Sequence, residues 1–293
     1  VSETVSLADW VCSGRDVGGE EWNPAAEVIV TRRGAFVRSA NGIETVHDAA
    51  TVAFWGPREE YRIRHLGLIP DACTIFSAPE ATLRELLAER DPAAGDRYDA
   101  ALPGRSAAIA GRTYLAHRFA LNAARIGDAL AAEELAIGFL RGAVGALGAT
   151  ELRRNASRMR SERERYAPAV RAVVAKRPEC RLSLTELARA VGCSPFHLTR
   201  RVAAETGVPV YRLVRTIRLR EALDRLLETS DEIGAIGIAL GFASHSHFTD
   251  SFRREFGVSP REVRGGHVAP PRVPVIAHRS NSGPHRASSC RRR

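Results

Sequence analysis

Cysteine is sparse in this chain and scattered singly, as Cys12, Cys73, Cys180, Cys193 and Cys290, with no C-x-x-C spacing anywhere. The lack of that spacing excludes a zinc ribbon or a dithiol redox motif, and the odd count argues against a disulfide framework. The thiols are therefore read as small apolar residues or exposed groups. A thiol sensor at Cys12 or Cys73 is the minor alternative, since neither has a basic neighbourhood in sequence that would favour the thiolate. The chain also lacks an apolar run of membrane-spanning length, and its opening, Val1-Ser2-Glu3, does not have the form of a signal peptide. These absences lead to the expectation of a cytoplasmic, nucleoid-associated protein with no membrane partner. In the β-rich N-terminal region only His47 and His65 are present, with no His-x-His pair, so neither a metal nor another cofactor is expected there. Acidic residues are missing altogether from residues 265–293, which hold six arginines.

What is present divides the chain. Its 293 residues suggest two domains. The formal net charge of +9 is unevenly placed: residues 1–167 hold 21 basic against 23 acidic residues, whereas residues 168–264 hold 16 against 11. The basic excess lies in the C-terminal region, where a polyanion such as DNA is the natural counterpart.

That basic region contains a pair of similar helix-turn-helix patterns in tandem. In the first, Leu184, Leu187, Ala188 and Val191 recur at helical spacing, Gly192 supplies a turn, and Ser194-Pro195 caps and begins a second helix. The second copy, from Ile233 to Phe256, repeats the layout with Ile236, Ala239 and Leu240, then Gly241, then Ser244 as N-cap. Such pairs set their second helix in the major groove, with its N-terminal residues against base edges. Between them, Val210 to Glu228 is one unbroken helical pattern with Leu213, Ile217, Leu223 and Leu226 apolar, and Arg212, Arg215, Arg218, Arg220 and Arg225 supplying charge. A helix of that length, roughly 30 Å, is close to the ~34 Å between successive major-groove faces.

These residues resemble the DNA-binding domain of the AraC/XylS family of bacterial transcription regulators. The likeness rests on Gly241-Phe242, Ser246-His247-Phe248, Phe252-Arg253-Arg254, Phe256-Gly257-Val258-Ser259-Pro260 and Arg264, and in the first half on Ala188, Ser194-Pro195, His197-Leu198, Arg200 and Gly207. The resemblance implies base-facing positions at Phe196, Thr199 and Arg200 in the first reading helix and at His245, Ser246, Thr249 and Asp250 in the second. Arg200 suits a bidentate contact to guanine and Phe196 a thymine methyl. Three positions depart from the family pattern. Asp250 stands where a basic residue is usual, Gly237 where alanine is usual, and Val263 where an aromatic is usual. The carboxylate predicts weaker or altered reading by the second head, and the glycine a softer helix. His245 and His247, two apart on a helix, point in different directions and make no metal pair.

From Ala26 to Phe76 the pattern is short and β-like. Strands are predicted at Glu27–Thr31, Ala35–Arg38, Ile43–Val46, Ala50–Trp55, Arg62–His65 and Ala72–Phe76, with Asn41-Gly42 as a hairpin turn. Evenly spaced short strands suggest a small barrel or jelly roll. The family resemblance implies a cupin-like, effector-binding barrel here, with Trp22, Phe36, Phe54, Trp55 and Tyr61 as candidate lining for a small molecule. For each aromatic, ordinary core packing is the competing reading. Helices are expected at Pro79–Glu89, with Leu83, Leu86 and Leu87 on one face, at Ser106–Asn122, and at Ile126–Leu147, with Ile126, Leu130, Glu133, Ile137, Leu140, Val144 and Leu147 as a stripe. The family uses such helices for dimerisation.

The expected fold is thus multidomain α+β. A cupin-like β-barrel with helices spans residues 1–150, for effector binding and dimerisation; a mixed-charge linker spans 151–167. An all-α tandem helix-turn-helix spans 168–264, and a disordered basic tail 265–293. The expected partners are double-stranded DNA, a small-molecule effector, a second copy of the chain and, for an activator, RNA polymerase, although no motif specifies a polymerase surface. The alternative is a cupin-type enzyme localised by its DNA-binding domain, which needs convergent polar groups in the barrel where a sensor needs only a pocket. A repair regulator with a sacrificial cysteine is excluded by the lack of clustered N-terminal cysteines.

Overall fold

A computed structural model describes residues 5–12, 20–66, 71–89, 105–155 and 166–266. Most of the linker expected at 151–167, the tail beyond Gly266, the loop around Asp91-Pro92 and Cys290 lie outside the described residues.

The N-terminal region contains strands β1 (Ser6–Cys12), β2 (Glu21–Trp22), β3 (Glu27–Arg33), β4 (Ala35–Ala40), β5 (Ile43–Asp48), β6 (Thr51–Trp55), β7 (Glu60–His65), β8 (Asp71–Ser77) and β9 (Arg105–Ala108). They form two antiparallel sheets, ordered β1-β8-β3-β6-β9 and β2-β7-β4-β5. Among the described residues the sheets do not close, so the expected barrel is replaced by two sheets sharing an inner face. Ile29, Ala53, Trp55 and Cys73 of the first meet Phe36, Ala40 and Tyr61 of the second in one buried cluster. The β4–β5 turn has left-handed backbone at both Asn41 (φ 52°) and Gly42 (φ 73°), as a two-residue hairpin requires.

Helix α1 (Glu80–Ala88) buries Leu83, Leu86 and Leu87. The helix expected from Ser106 begins only at Gly111: residues 105–108 pair with β6 as β9, and α2 runs Gly111–Arg125. Alternation of buried and exposed residues over so few positions is too short to distinguish from a helix start. Helix α3 (Ala129–Asn155) follows. Its buried face is Ala132, Leu135, Ala136, Phe139, Leu140, Ala143, Val144 and Leu147. The predicted stripe is thus shifted. Ile126 and Leu130 are 72% and 73% exposed, so any pairing surface offered by that stripe is confined to this corner.

The C-terminal region is wholly helical: α4 (Tyr166–Lys176), α5 (Leu184–Val191), α6 (Pro195–Thr206), α7 (Val210–Glu228), α8 (Ile233–Ala239), α9 (His245–Phe256) and α10 (Pro260–Arg264). Helix α7 divides between two cores. Val210, Leu213, Val214 and Ile217 pack with Val170 of α4 and with Leu187, Leu198 and Val202 of the first helix-turn-helix. Leu219, Ala222, Leu223 and Leu226 pack with Ile236, Phe248, Phe252 and Phe256 of the second. That second core is continuous with the N-terminal one through Phe76, Tyr114, Leu115 and Phe139.

Polar groups fasten the two regions together. Arg118 of α2 lies 2.9 Å from Asp224 and 2.7 Å from Glu228 of α7. Arg32 of β3 reaches Glu228 at 3.1 Å and also contacts Asp9, and Arg125 pairs with Asp9 at 2.5 Å. Burial works against ionisation of Glu228, but Arg118, Arg32 and Arg125 hold its carboxyl below the usual range. Arg220, counted in sequence among the charges of α7, is fully buried. It donates to the carbonyls of Ala49 and Ile109, lies over the Tyr114 ring at 4.7 Å, and approaches Glu255 of α9 at 3.6 Å.

Candidate nucleic-acid interface

Each helix-turn-helix is built by local signals that the backbone obeys. Ser183 and Glu186 form a capping box that starts α5, and Gly192, at φ 77°, ends it in left-handed backbone. Ser194 then accepts from the His197 amide at 3.2 Å and Pro195 opens α6. In the second copy Gly241 takes φ 85°, and Ser244 accepts from the His247 amide at 3.1 Å to begin α9. Both reading helices consequently begin at a capped, solvent-facing end.

The expected base-facing residues lie on one side of these helices. On α6, Phe196 is 75% exposed, Arg200 is exposed, and Thr199 is half-buried with its hydroxyl donating to the Phe196 carbonyl at 2.9 Å. On α9, His245, Ser246 and Asp250 are exposed and Thr249 is half-buried. The opposite faces, Leu198 with Val202 and Phe248 with Phe252 and Phe256, are buried. This is the division that i, i+3, i+4 spacing produces. A 75%-exposed phenylalanine at the start of a helix has no role in the chain's own core.

Several residues of the motif hold the heads in place. His197 meets the Tyr166 hydroxyl at 3.1 Å, so the start of α6 is tied to the start of α4. Arg218 donates to the Pro178 and Cys180 carbonyls, and Arg264 to those of Leu226 and Asp231, fixing loops on either side of α7. In sequence Arg218 looks like a surface charge; its inward turn depends on carbonyls some 40 positions away. His247 folds back onto the Phe242 ring, 5.6 Å between centroids.

Gly237 has a function the sequence did not suggest. A Cβ there would lie 2.7 Å from Cγ of Phe248, so the glycine lets α8 approach α9 closely. Gly111 acts similarly between domains, since its Cβ would meet the Glu255 carbonyl oxygen at 2.2 Å.

The five aromatics expected to line an effector site do not come together. Trp22 is 60% exposed, and Phe54 points to the opposite side of its sheet, into the core shared with the helices. The reason is strand alternation: Phe54 and Trp55 are adjacent and must face opposite ways. Phe36, Trp55 and Tyr61 do converge, with Trp55 and Tyr61 centroids 4.6 Å apart and Phe36 edge-on to Trp55 at 6.3 Å. Arg38 lies over Trp55 and Tyr61 at 5.0 and 5.2 Å, and His47 packs on Phe36 at 5.1 Å. Burial and the nearby Arg38 charge push His47 down to about 3, so its ring is neutral. His47 and His65 flank Phe36 on the two neighbouring strands, His47 bonded to Thr45 and His65 to Cys12 and Asp71, and among the described residues no group of three or more His, Cys, Asp or Glu could hold a metal ion.

The geometry defines a tandem helix-turn-helix domain of the DNA-binding type. A family model described as a helix-turn-helix domain matches residues 187–266. The chain is 40% identical over 72 residues to the HTH-type transcriptional activator RhaS of Escherichia fergusonii, covering 25% of this chain and 26% of the relative. It is 30% identical over 91 residues to the HTH-type transcriptional regulator MtrA of Neisseria gonorrhoeae, covering 31% and 30%. Residues 187–266 are thus similar to the helix-turn-helix domain of these transcriptional regulators. The chain spans about a quarter to a third of the length of these relatives, and the likeness lies in this domain. ToxT of Vibrio cholerae aligns over 89% of this chain and 98% of its own at 11% identity, with a TM-score of 0.37, too low to carry an argument about the N-terminal region. No helix among the described residues is long and apolar enough to cross a membrane.

Proposed function

We propose that the chain is a sequence-specific transcription regulator whose α6 and α9 enter successive major grooves of double-stranded DNA, under the control of a small-molecule effector bound by the N-terminal sheets. One observation carries the DNA reading: a single 19-residue helix, α7, gives one half to each helix-turn-helix core. At ~1.5 Å per residue it sets the heads about one turn of B-DNA apart, so one molecule reads two grooves. Phe196, Thr199 and Arg200 read the first half-site, and His245, Ser246, Thr249 and Asp250 the second. Asp250 disfavours phosphate and suits only a cytosine amine. The domain boundaries that this reading uses are those set out from sequence, with residues 168–264 binding DNA.

For the effector, the supporting observation is polar. Among the described residues, Trp55 Nε1, His47 Nδ1 and Arg38 Nε are buried around Phe36 and Tyr61 with no hydrogen-bond partner. A small molecule with acceptor oxygens would satisfy the two N–H donors of Trp55 and Arg38. Its differential affinity for two arrangements of the sheets and α7 is what would alter DNA occupancy. A second copy of the chain and RNA polymerase complete the proposed set of partners.

The test is a footprint of the purified protein on genomic fragments, repeated with Arg200→Ala. A protected site spanning two successive grooves is expected, with preference at one base relaxed at a cost of about 1–3 kcal/mol. Diffuse, salt-steep binding that Arg200→Ala leaves unchanged would refute specific reading.

A further inference from the structure

A second chemical site lies beside the aromatic cluster, where His65 is the strand partner of Phe36. There the thiol of Cys12 on β1 is 3.3 Å from Nε2 of His65 at the end of β7, and Nδ1 of the same ring is 2.5 Å from Oδ2 of Asp71 on β8. Asp71 is 2% exposed and its other oxygen accepts from the Ala35 amide at 3.0 Å. It can sit there because residue 34 is glycine: a Cβ would lie 2.0 Å from Oδ1. Both carboxylate oxygens are therefore committed, one of them to orienting the imidazole. An imidazole whose Nδ1–H is held by a carboxylate presents Nε2 as a base, and that is the nitrogen facing the thiol.

We propose that Cys12 is a nucleophilic thiol that captures apolar α,β-unsaturated carbonyl compounds, with His65 as the base and Asp71 as the residue that positions it. Cys12 is partly exposed, as a reactive thiol must be, and Trp10, two residues earlier on the same face of β1, is 49% exposed and offers an apolar surface for such a compound. In the reaction the thiol proton passes to His65 Nε2 and sulfur attacks the β-carbon. The C=C pair shifts to an enolate, and the α-carbon takes the proton back from the imidazolium, so atoms and charge balance without a further reactant. Around His65, Asp71 raises its proton affinity through the hydrogen bond, burial opposes this, and Glu21 adds to it. Cys73 on β8 is not an alternative nucleophile: burial and the Asp71 charge push its thiol up to about 12. The same β1 strand carries Asp9, one of the residues joining the sheets to α7.

The experiment is a rate measurement on the full chain, with iodoacetamide and 2-cyclohexen-1-one as probes and peptide mapping by mass spectrometry as readout. DNA is not involved, so the outcome is independent of whether the protein regulates transcription. Cys12 is expected to react at pH 7 at least tenfold faster than Cys180 and Cys193. Its pH–rate midpoint is expected at least one unit below the ~8.5 of free cysteine. His65→Gln, with an unchanged circular dichroism spectrum, is expected to slow Cys12 tenfold and return the midpoint to the free-thiol range. If the folded protein shows Cys12 reacting with the rate and midpoint of Cys180, or if His65→Gln changes neither, the assignment is overturned. The wild-type profile decides the matter even if the variant fails to fold.

Discussion

Replacing Gly237 by alanine separates two lines of reasoning that give opposite signs. Helix propensity alone favours the change, because alanine in a helix interior is better than glycine by about 0.8–1.0 kcal/mol. The packing opposes it. The new Cβ would lie 2.7, 2.8 and 2.9 Å from Cγ, Cδ1 and Cβ of Phe248, and Phe248 is fully buried beside Phe242 and Phe252. Those atoms are the root of a ring rather than the tip of a flexible chain, so relief requires α8 and α9 to move apart. Overpacking of this kind costs about 1–3 kcal/mol, which leaves a net loss of up to about 2 kcal/mol. In a chain of this size that is a fall in Tm of a few degrees, at about 2–4 °C per kcal/mol. The assay is thermal unfolding of Gly237→Ala, with Gly237→Ala/Phe248→Ala, which removes Cγ and Cδ1, as the relieving double variant. A single variant with a Tm above the parent would refute the packing argument, as would a double variant no better than the sum of its component changes.

Two further outcomes are expected. Burial pushes the carboxyl of Glu27, at the start of β3, up to about 7. A folded-state value above the unfolded ~4.3 means that the folded chain binds the extra proton, so stability falls as pH rises through that interval. Glu27→Gln removes the dependence and raises stability at pH 8 by about 1–3 kcal/mol, checked by urea unfolding at pH 5 and 8; an unchanged pH slope contradicts it. Glu228 answers three arginines, Arg32, Arg118 and Arg125, from the N-terminal region. Glu228→Gln leaves a buried Arg118 under-compensated and, with Glu228 itself half-buried, should cost about 1–2 kcal/mol and loosen the docking of α7 on the sheets. Limited proteolysis between the two regions is the readout, and unchanged cleavage counts against the clamp.

Much of this protein was legible one short window at a time. Ser194-Pro195 after Gly192, and Ser244 after Gly241, specify caps and turns through groups only a few residues apart, so both helix-turn-helix units and their outward faces follow from sequence. Asn41-Gly42 and the alternation around it fix the β4–β5 hairpin for the same reason. The Leu83, Leu86 and Leu87 face of α1 likewise needs no more than helical period. Tertiary structure alone decided the rest, because the deciding partner is remote. Arg220 looks like a surface charge until the carbonyl of Ala49, 171 residues away, turns it inward, and Arg118 finds Glu228 across 110 residues. Residues 105–108 become a strand because β6 offers a free edge, and among the described residues the edge strands of the two sheets do not pair. Phe54 and Trp55 diverge because neighbours on a strand cannot share a face, which splits an aromatic set that the expected barrel had grouped together. Nothing in the sequence around Cys12 marked it convincingly as a thiolate, because its histidine lies 53 positions along, on the other sheet.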